Sequence, residues 1–131
     1  MTEPALEENI SRPLRTIVVD DEALGRELIL RLAAVSEKID VVGEFGDATK
    51  ALDAMDALNP DIAFFDIQMP KLTGIEAARR IAHTETIVVF VTAFEEHALE
   101  AFEVQAFDYL LKPIEKDRFH TVCERAYSNI K

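Results

Sequence analysis

Thr16-Ile17-Val18-Val19-Asp20-Asp21-Glu22 decides the fold, because a short β-branched run stops abruptly in three acids. Residues branched at Cβ suit a strand, and a strand apolar at successive positions suits a sheet covered on both faces. The pattern recurs downstream. Ile62-Ala63-Phe64-Phe65 ends in Asp66, and Asp108-Tyr109-Leu110-Leu111 is followed by Lys112. Four carboxylates and one lysine thus stand at or beside the ends of different predicted strands. Open α/β sheets bind ligands outside the carboxyl ends of their strands. A cluster of acids beside one base calls for a divalent cation, and accepts an anionic group only with that cation present. Phosphate chemistry is the reading that follows.

Working outward, strands are expected over 16–20, 41–45, 61–66, 87–91 and 107–110. Between them apolar residues recur every three to four positions, as Leu24, Leu28, Leu32 and Val35, then Ala48, Leu52, Met55 and Leu58. Each series reads as a helix with one apolar stripe against the sheet. Asp47 is placed to cap the second helix, and Asn59-Pro60 to end it. Gly74 opens a third helix carrying Ile75, Ala78 and Ile81. A short acidic fourth is expected over 95–102, and a fifth over 115–128 with Phe119, Val122, Cys123 and Ala126 on one side. The alternation predicts an α/β fold, a doubly wound parallel sheet of five strands with five helices. Right-handed crossovers would bring the acidic cluster, Asp66, Thr92 and Lys112 to one end of the sheet.

The 131 residues, 49% of them hydrophobic, suffice for one core without staples. Residues 1–13 are polar and acidic, carry Pro4 and Pro13, and read as a flexible N-terminal arm, with a short helix over 6–10 as its one candidate element. The domain is expected over 14–131. A lone cysteine, Cys123, cannot close an internal disulfide, and no N-terminal apolar segment reads as a leader or membrane span, so a cytoplasmic protein is expected. A net charge of −11 disfavours direct contact with nucleic acid or an anionic membrane. The glycine-rich loops of nucleotide-binding proteins are missing from the sequence. His83, His97 and His120 lack metal-ligand spacing, and Cys123 sits on an apolar stripe, so no chemistry is assigned to them.

Val19-Asp20-Asp21-Glu22, Asp66-Ile67-Gln68-Met69-Pro70 with Gly74, Val91-Thr92-Ala93 and Tyr109-Leu110-Leu111-Lys112-Pro113 together resemble the CheY-like receiver domain of two-component response regulators. The match runs from Arg15 to about Tyr127. The stretch from Thr92-Ala93-Phe94 through Ala98-Leu99-Glu100-Ala101-Phe102 to Lys112-Pro113 looks like receivers that precede LytTR-type DNA-binding domains. The resemblance implies a flavodoxin-like strand order of 2-1-3-4-5, a sensor histidine kinase as phosphodonor, and a cis Lys112-Pro113 bond that aims the ammonium inward. It implies as well a switching surface on the fourth helix, fifth strand and fifth helix, available to a receiver homodimer or to an output domain controlling transcription. The chain ends about where the last helix should stop, so a DNA-binding module is not expected within it.

Roles can be argued from chemistry. Asp66 is the candidate phosphoacceptor, since a carboxylate at a strand end can attack phosphorus and form an acyl phosphate; the plainer alternatives are a metal ligand or a helix-capping acid. Asp21, Asp66 and the backbone carbonyl of Gln68 would hold Mg²⁺, with Asp20 holding a metal-bound water. Two carboxylates ~4 Å apart repel by about 4 kcal/mol at an effective dielectric near 20, a penalty that a divalent ion removes. Glu22 reads equally as part of this group or as a solvated acid at a helix start. Lys112 would pair with Asp66 and then with the added phosphoryl group. Thr92 would donate to a phosphoryl oxygen, and Tyr109, which fits the family's switch aromatic, would rotate into the space it leaves; the plainer alternative is a β-branched strand residue beside a surface tyrosine. On the switching surface, His97, Glu100, Glu103, Val104, Gln105 and Asp108 are candidates, with Phe102 and Phe107 expected to be buried. Phe94 would hinder a hydrolytic water while Gln68 would orient one, with Phe94 dominant.

The leading expectation is a signalling domain that is not an enzyme beyond self-phosphotransfer and autodephosphorylation. The alternatives are a Mg²⁺-dependent phosphohydrolase working through an aspartyl phosphate, and a phosphate-independent interaction module. Adjacent rather than Asp-x-Asp leading acids, and the want of a capping insertion, weigh against the hydrolase.

Overall fold

The computed structural model describes residues 12–130; the short helix read over 6–10, and all of the expected arm before Arg12, lie outside the described residues. Five parallel strands, β1 (Leu14–Val19), β2 (Ile39–Phe45), β3 (Ile62–Phe65), β4 (Ile87–Thr92) and β5 (Asp108–Leu111), form one sheet in the order β2-β1-β3-β4-β5. Between and after them run α1 (Ala23–Ala34), α2 (Ala48–Leu58), α3 (Gly74–Arg80), α4 (Ala98–Glu103) and α5 (Lys116–Ile130). A 3₁₀ turn over Glu95–His97 leads into α4, so the expected fourth helix is split in two.

Strand alternation builds two cores, one on each face. Val19, Ala63, Phe65 and Phe90 meet Ala48, Ala51 and Met55 of α2 and Ile75 and Ala78 of α3. On the other face Val18, Ile62, Phe64 and Val89 meet Ile29 and Ala33 of α1 and Phe119, Val122, Cys123 and Ala126 of α5. Adjacent residues of one strand serve opposite faces because the side-chain period is two. Phe64 and Phe119 stack at 5.3 Å between ring centroids, which fixes α5 over the sheet centre. As the sequence suggests, the Asp47 carboxylate accepts from the Lys50 N–H at the start of α2, and Asn59 closes that helix in the left-handed region at φ 44°.

Two expectations about faces are corrected. The stripe read for α1 points largely outward, with Leu24 79% and Val35 71% exposed and Leu28 also exposed, while Ile29 and Ala33 are buried. The helix carries apolar residues on two faces, and it packs through the line of Ile29 and Ala33, with Leu32 of the expected stripe half-buried beside them. Phe102, expected in the core, is 79% exposed. In α4 only Ala101 is fully buried, and the next residue, about 100° further round the helix, faces out. Phe107 is half-buried against the α5 side of the sheet.

Candidate functional site

Register sets the site. Val19 pairs with Phe65, so Asp20 and Asp66 follow paired residues of the adjacent strands β1 and β3. Thr92 pairs with Leu111, so Lys112 emerges just beyond the end of β4. The backbone then continues the ladder: Asp66 N–H donates to the Val19 carbonyl at 2.9 Å, and Lys112 N–H to the Thr92 carbonyl at 2.8 Å.

Asp20 is the most enclosed acid. Its Oδ1 accepts from the Glu22 N–H at 2.9 Å, a side-chain turn two residues long, and its Oδ2 accepts from Lys112 Nζ at 2.8 Å. The same ammonium reaches Asp66 Oδ2 at 3.2 Å, while Asp66 Oδ1 accepts from the Ile67 N–H at 2.7 Å. Asp21 is exposed beside them, and carboxylate oxygens of Asp20, Asp21 and Asp66 lie within 4.8 Å of one another. Three hard oxygen donors this close fit a Mg²⁺-type cation. Glu22 stays outside the cluster; its side chain makes no cap at α1, and its contribution is the backbone N–H given to Asp20. The Lys112-Pro113 bond is cis.

Electrostatics follow from one ammonium shared by two acids. Burial pushes the Asp66 carboxyl above its ordinary value, Lys112 pulls it back, and the neighbouring Asp20 charge adds to the rise. Burial alone would lower Lys112, but its hydrogen bonds and charge pairing with Asp20 and Asp66 outweigh that and hold it above the usual range. The lysine is firmly charged, yet Asp66 remains undercompensated.

Two glycines let backbone and carboxylates approach. A Cβ at Gly25 in α1 would lie 2.2 Å from Asp20 Oδ2, and one at Gly74 would lie 2.1 Å from the Asp66 carbonyl oxygen. Gly74 was legible as a helix start, and its N–H donates to the Ile67 carbonyl at 2.9 Å. Gly25 has no role in the sequence reading. A glycine inside a helical pattern costs about 1 kcal/mol relative to alanine, and that cost was the available signal of close packing.

The remaining candidates stand on β4, β5 and the loops that follow β3 and β4. Thr92 is fully buried, and its Oγ1 accepts a long hydrogen bond from the Phe94 N–H at 3.4 Å. Tyr109 is half-buried against the α2–α3 side of the core, and its hydroxyl donates to the Phe94 carbonyl, tying β5 to the loop after β4. Phe94 and Gln68 are exposed. His97, given no chemistry from sequence, lies against the Gln68 amide at 3.3 Å and against Glu100 at 3.0 Å. His120 lies edge-on to the Phe119 ring on α5, and Cys123 is buried, its thiol pushed up to about 12 by burial.

Comparison with known proteins agrees with this geometry. Residues 16–124 match the family model for the response regulator receiver domain. The transcriptional regulatory protein BtsR of Salmonella typhi is 42% identical over 113 residues, 86% of this chain and 47% of that protein. An uncharacterized response regulatory protein of Vibrio cholerae is likewise 42% identical, over 86% of this chain and 48% of its own length. The chain therefore spans about half the length of these curated relatives. Among solved structures, the response regulatory domain of mrkE from Klebsiella pneumoniae superposes with a TM-score of 0.83 at 33% identity, covering 88% of this chain and 97% of that one. Among the described residues no helix is long and apolar enough to cross a membrane. The family match spans all of the strand-end acids, and the chain belongs to the response regulator receiver domains of two-component signalling systems.

Proposed function

We propose that this receiver accepts a phosphoryl group on Asp66 from a phosphohistidine of a sensor histidine kinase. The observation that carries the reading is the convergence of Asp20, Asp21, Asp66 and Lys112 within hydrogen-bonding or ligand-sharing distance. An Asp66 oxygen attacks phosphorus, the P–N bond to the donor imidazole breaks, and the electron pair leaves with that ring. Lys112, already between Asp20 and Asp66, pairs with the incoming oxygens. Asp21, Asp66 and the Gln68 carbonyl would hold Mg²⁺, with Asp20 acting through a water, and the ion would neutralise charge on the phosphoryl oxygens.

Thr92 then exchanges its hydrogen bond from the Phe94 N–H for donation to a phosphoryl oxygen, and Tyr109, bonded to the same loop, turns with it. The population shifts only as far as these contacts favour one arrangement over the other. The change reads out on α4, β5 and α5, where Leu99, Phe102 and Leu111 are exposed apolar residues suited to a second receiver or an output domain. Transcriptional relatives of about twice the length support an output domain that acts in transcription; that this domain is a DNA-binding one of LytTR type, in a cytoplasmic protein, rests on the sequence resemblance alone. With Mg²⁺ and acetyl phosphate, mass spectrometry is expected to find one hydroxylamine-sensitive adduct per chain, lost in Asp66→Asn. Catalytic turnover of a phosphate ester would instead mark a hydrolase, and no adduct at Asp66 would leave only an interaction module.

A further inference from the structure

Gln68 is two residues beyond Asp66, on the loop that leaves β3, and its side chain is exposed. Its amide nitrogen nevertheless has a partner in the fold, lying 3.3 Å from His97 Nε2 across a sequence separation of 29 residues. The ring's other nitrogen, Nδ1, lies 3.0 Å from Glu100 Oε1 one turn further along. A single neutral tautomer satisfies both contacts: Nδ1–H donates to the carboxylate, and Nε2 accepts from the amide. The His97 ring is largely shielded, with 23% of its side chain accessible, so its orientation is fixed by these two bonds and by packing.

His97 ends the 3₁₀ turn that follows Phe94, and the Phe94 carbonyl accepts from Tyr109. The loop after β4 is thus pinned to β5 at one point and to the β3–α3 loop at another. A Gln68 side chain engaged with His97 has its torsions set, and it is not free to swing over the Asp66 carboxylate and orient a water there.

We infer that His97 is a positioning residue that latches the Gln68 amide to the start of α4 and so lengthens the life of the phosphorylated state. The inference rests on the proposed phosphorylation of Asp66. It adds a second restraint on hydrolysis beside the ring of Phe94, and it makes the restraint depend on where α4 sits. A displacement of α4 that carries His97 away frees Gln68, so occupancy of the α4 surface and phosphate lifetime are coupled.

Decay of acetyl-phosphate-labelled protein, after removal of the donor, tests this. His97→Ala is expected to decay about 3-fold faster than the parent, the worth of one exposed hydrogen bond. In a Gln68→Ala background, which keeps the backbone carbonyl, His97→Ala is expected to change nothing. Equal or slower decay in His97→Ala overturns the latch, as does acceleration that persists without the Gln68 amide. Side-chain NMR of the unphosphorylated protein gives a separate readout: a His97 ring protonated at Nδ1, and a Gln68 NH₂ resonance that moves in His97→Ala. A Gln68 resonance unmoved by that change also overturns it. A parent that never labels at Asp66 defeats the proposed function itself, whereas normal labelling with unaltered decay defeats the latch alone.

Discussion

One ammonium between two buried carboxylates is a poor compensation, and Asp66 bears the deficit. Its carboxyl is raised above the ordinary 3.8, first by burial and further by Asp20, with Lys112 opposing. Below that ordinary value the group is protonated folded or unfolded, and it contributes nothing to the pH dependence of stability. As pH rises past the folded value, the native state alone carries the unfavourable charge, so the cost is complete at neutral pH. Asp66→Asn is therefore expected to raise the melting temperature of the metal-free protein at pH 7 by roughly 4 °C, the equivalent of about 1 kcal/mol in a domain of this size. Lys112 keeps Asp20 at 2.8 Å in that variant, so no charge is orphaned. Thermal melts of parent and variant in chelator, at pH 7 and again near pH 4, check this, and a lower melting point for the variant at pH 7 would contradict it. At this scale the sequence was informative where a residue type and a strand end coincided, as for Asp20, Asp21, Asp66 and Lys112. It was silent where the role depends on approach between distant segments. The contact of His97 with Gln68 spans 29 positions, and the 2.2 Å clearance at Gly25 exists only once α1 leans on Asp20.

At the level of elements, β5 and α5 are clasped by Asp108, whose carboxylate accepts from Arg118 at 3.1 Å and from Arg125 at 2.7 Å. Partial burial pushes that carboxyl up, but Arg118, the Tyr109 N–H and Arg125 outweigh it and hold it below 3.8. The sign is opposite to that of Asp66: the stability is present above the unfolded value and lost as pH falls through the depressed folded one. Both arginines are about half exposed, so solvent screening limits the gain. Asp108→Asn is expected to cost about 0.5–1 kcal/mol at pH 7 and nothing once pH lies below the folded value. Urea unfolding at the two pH values measures the difference, and a constant offset would refute the charge argument. The clasp was not readable in advance, although α5 itself was: Phe119, Val122, Cys123 and Ala126 fall on one face with no competing stripe, and all four are buried. In α1, by contrast, Leu24, Leu28 and Val35 form a stripe as regular as the true one. Periodicity identifies a helix reliably, but which of two apolar faces packs is decided by how near the helix must come to the sheet.

For the whole molecule, a net charge of −11 on 131 residues means that any added cation favours the compact state by screening self-repulsion. Thermal stabilisation by Mg²⁺ is therefore not, by itself, a sign of a site. The acidic cluster supplies the discriminating case, because Asp21 is exposed and contributes to the donor set without carrying the fold. A bound ion adds RT ln(1 + [L]/Kd), about 1.4 kcal/mol at tenfold over Kd and roughly 5 °C here. Screening, in contrast, depends on ionic strength and on a total charge that Asp21→Asn changes by a single unit. Melts of parent and Asp21→Asn in MgCl₂ and in NaCl of equal ionic strength are expected to show a Mg²⁺-specific increment in the parent. Most of that increment should vanish in the variant, while the NaCl response of the two proteins stays equal. If MgCl₂ and NaCl raise both proteins alike, the three carboxylates hold no ion of their own, and phosphoryl transfer to Asp66 loses the cation that its crowded charges require.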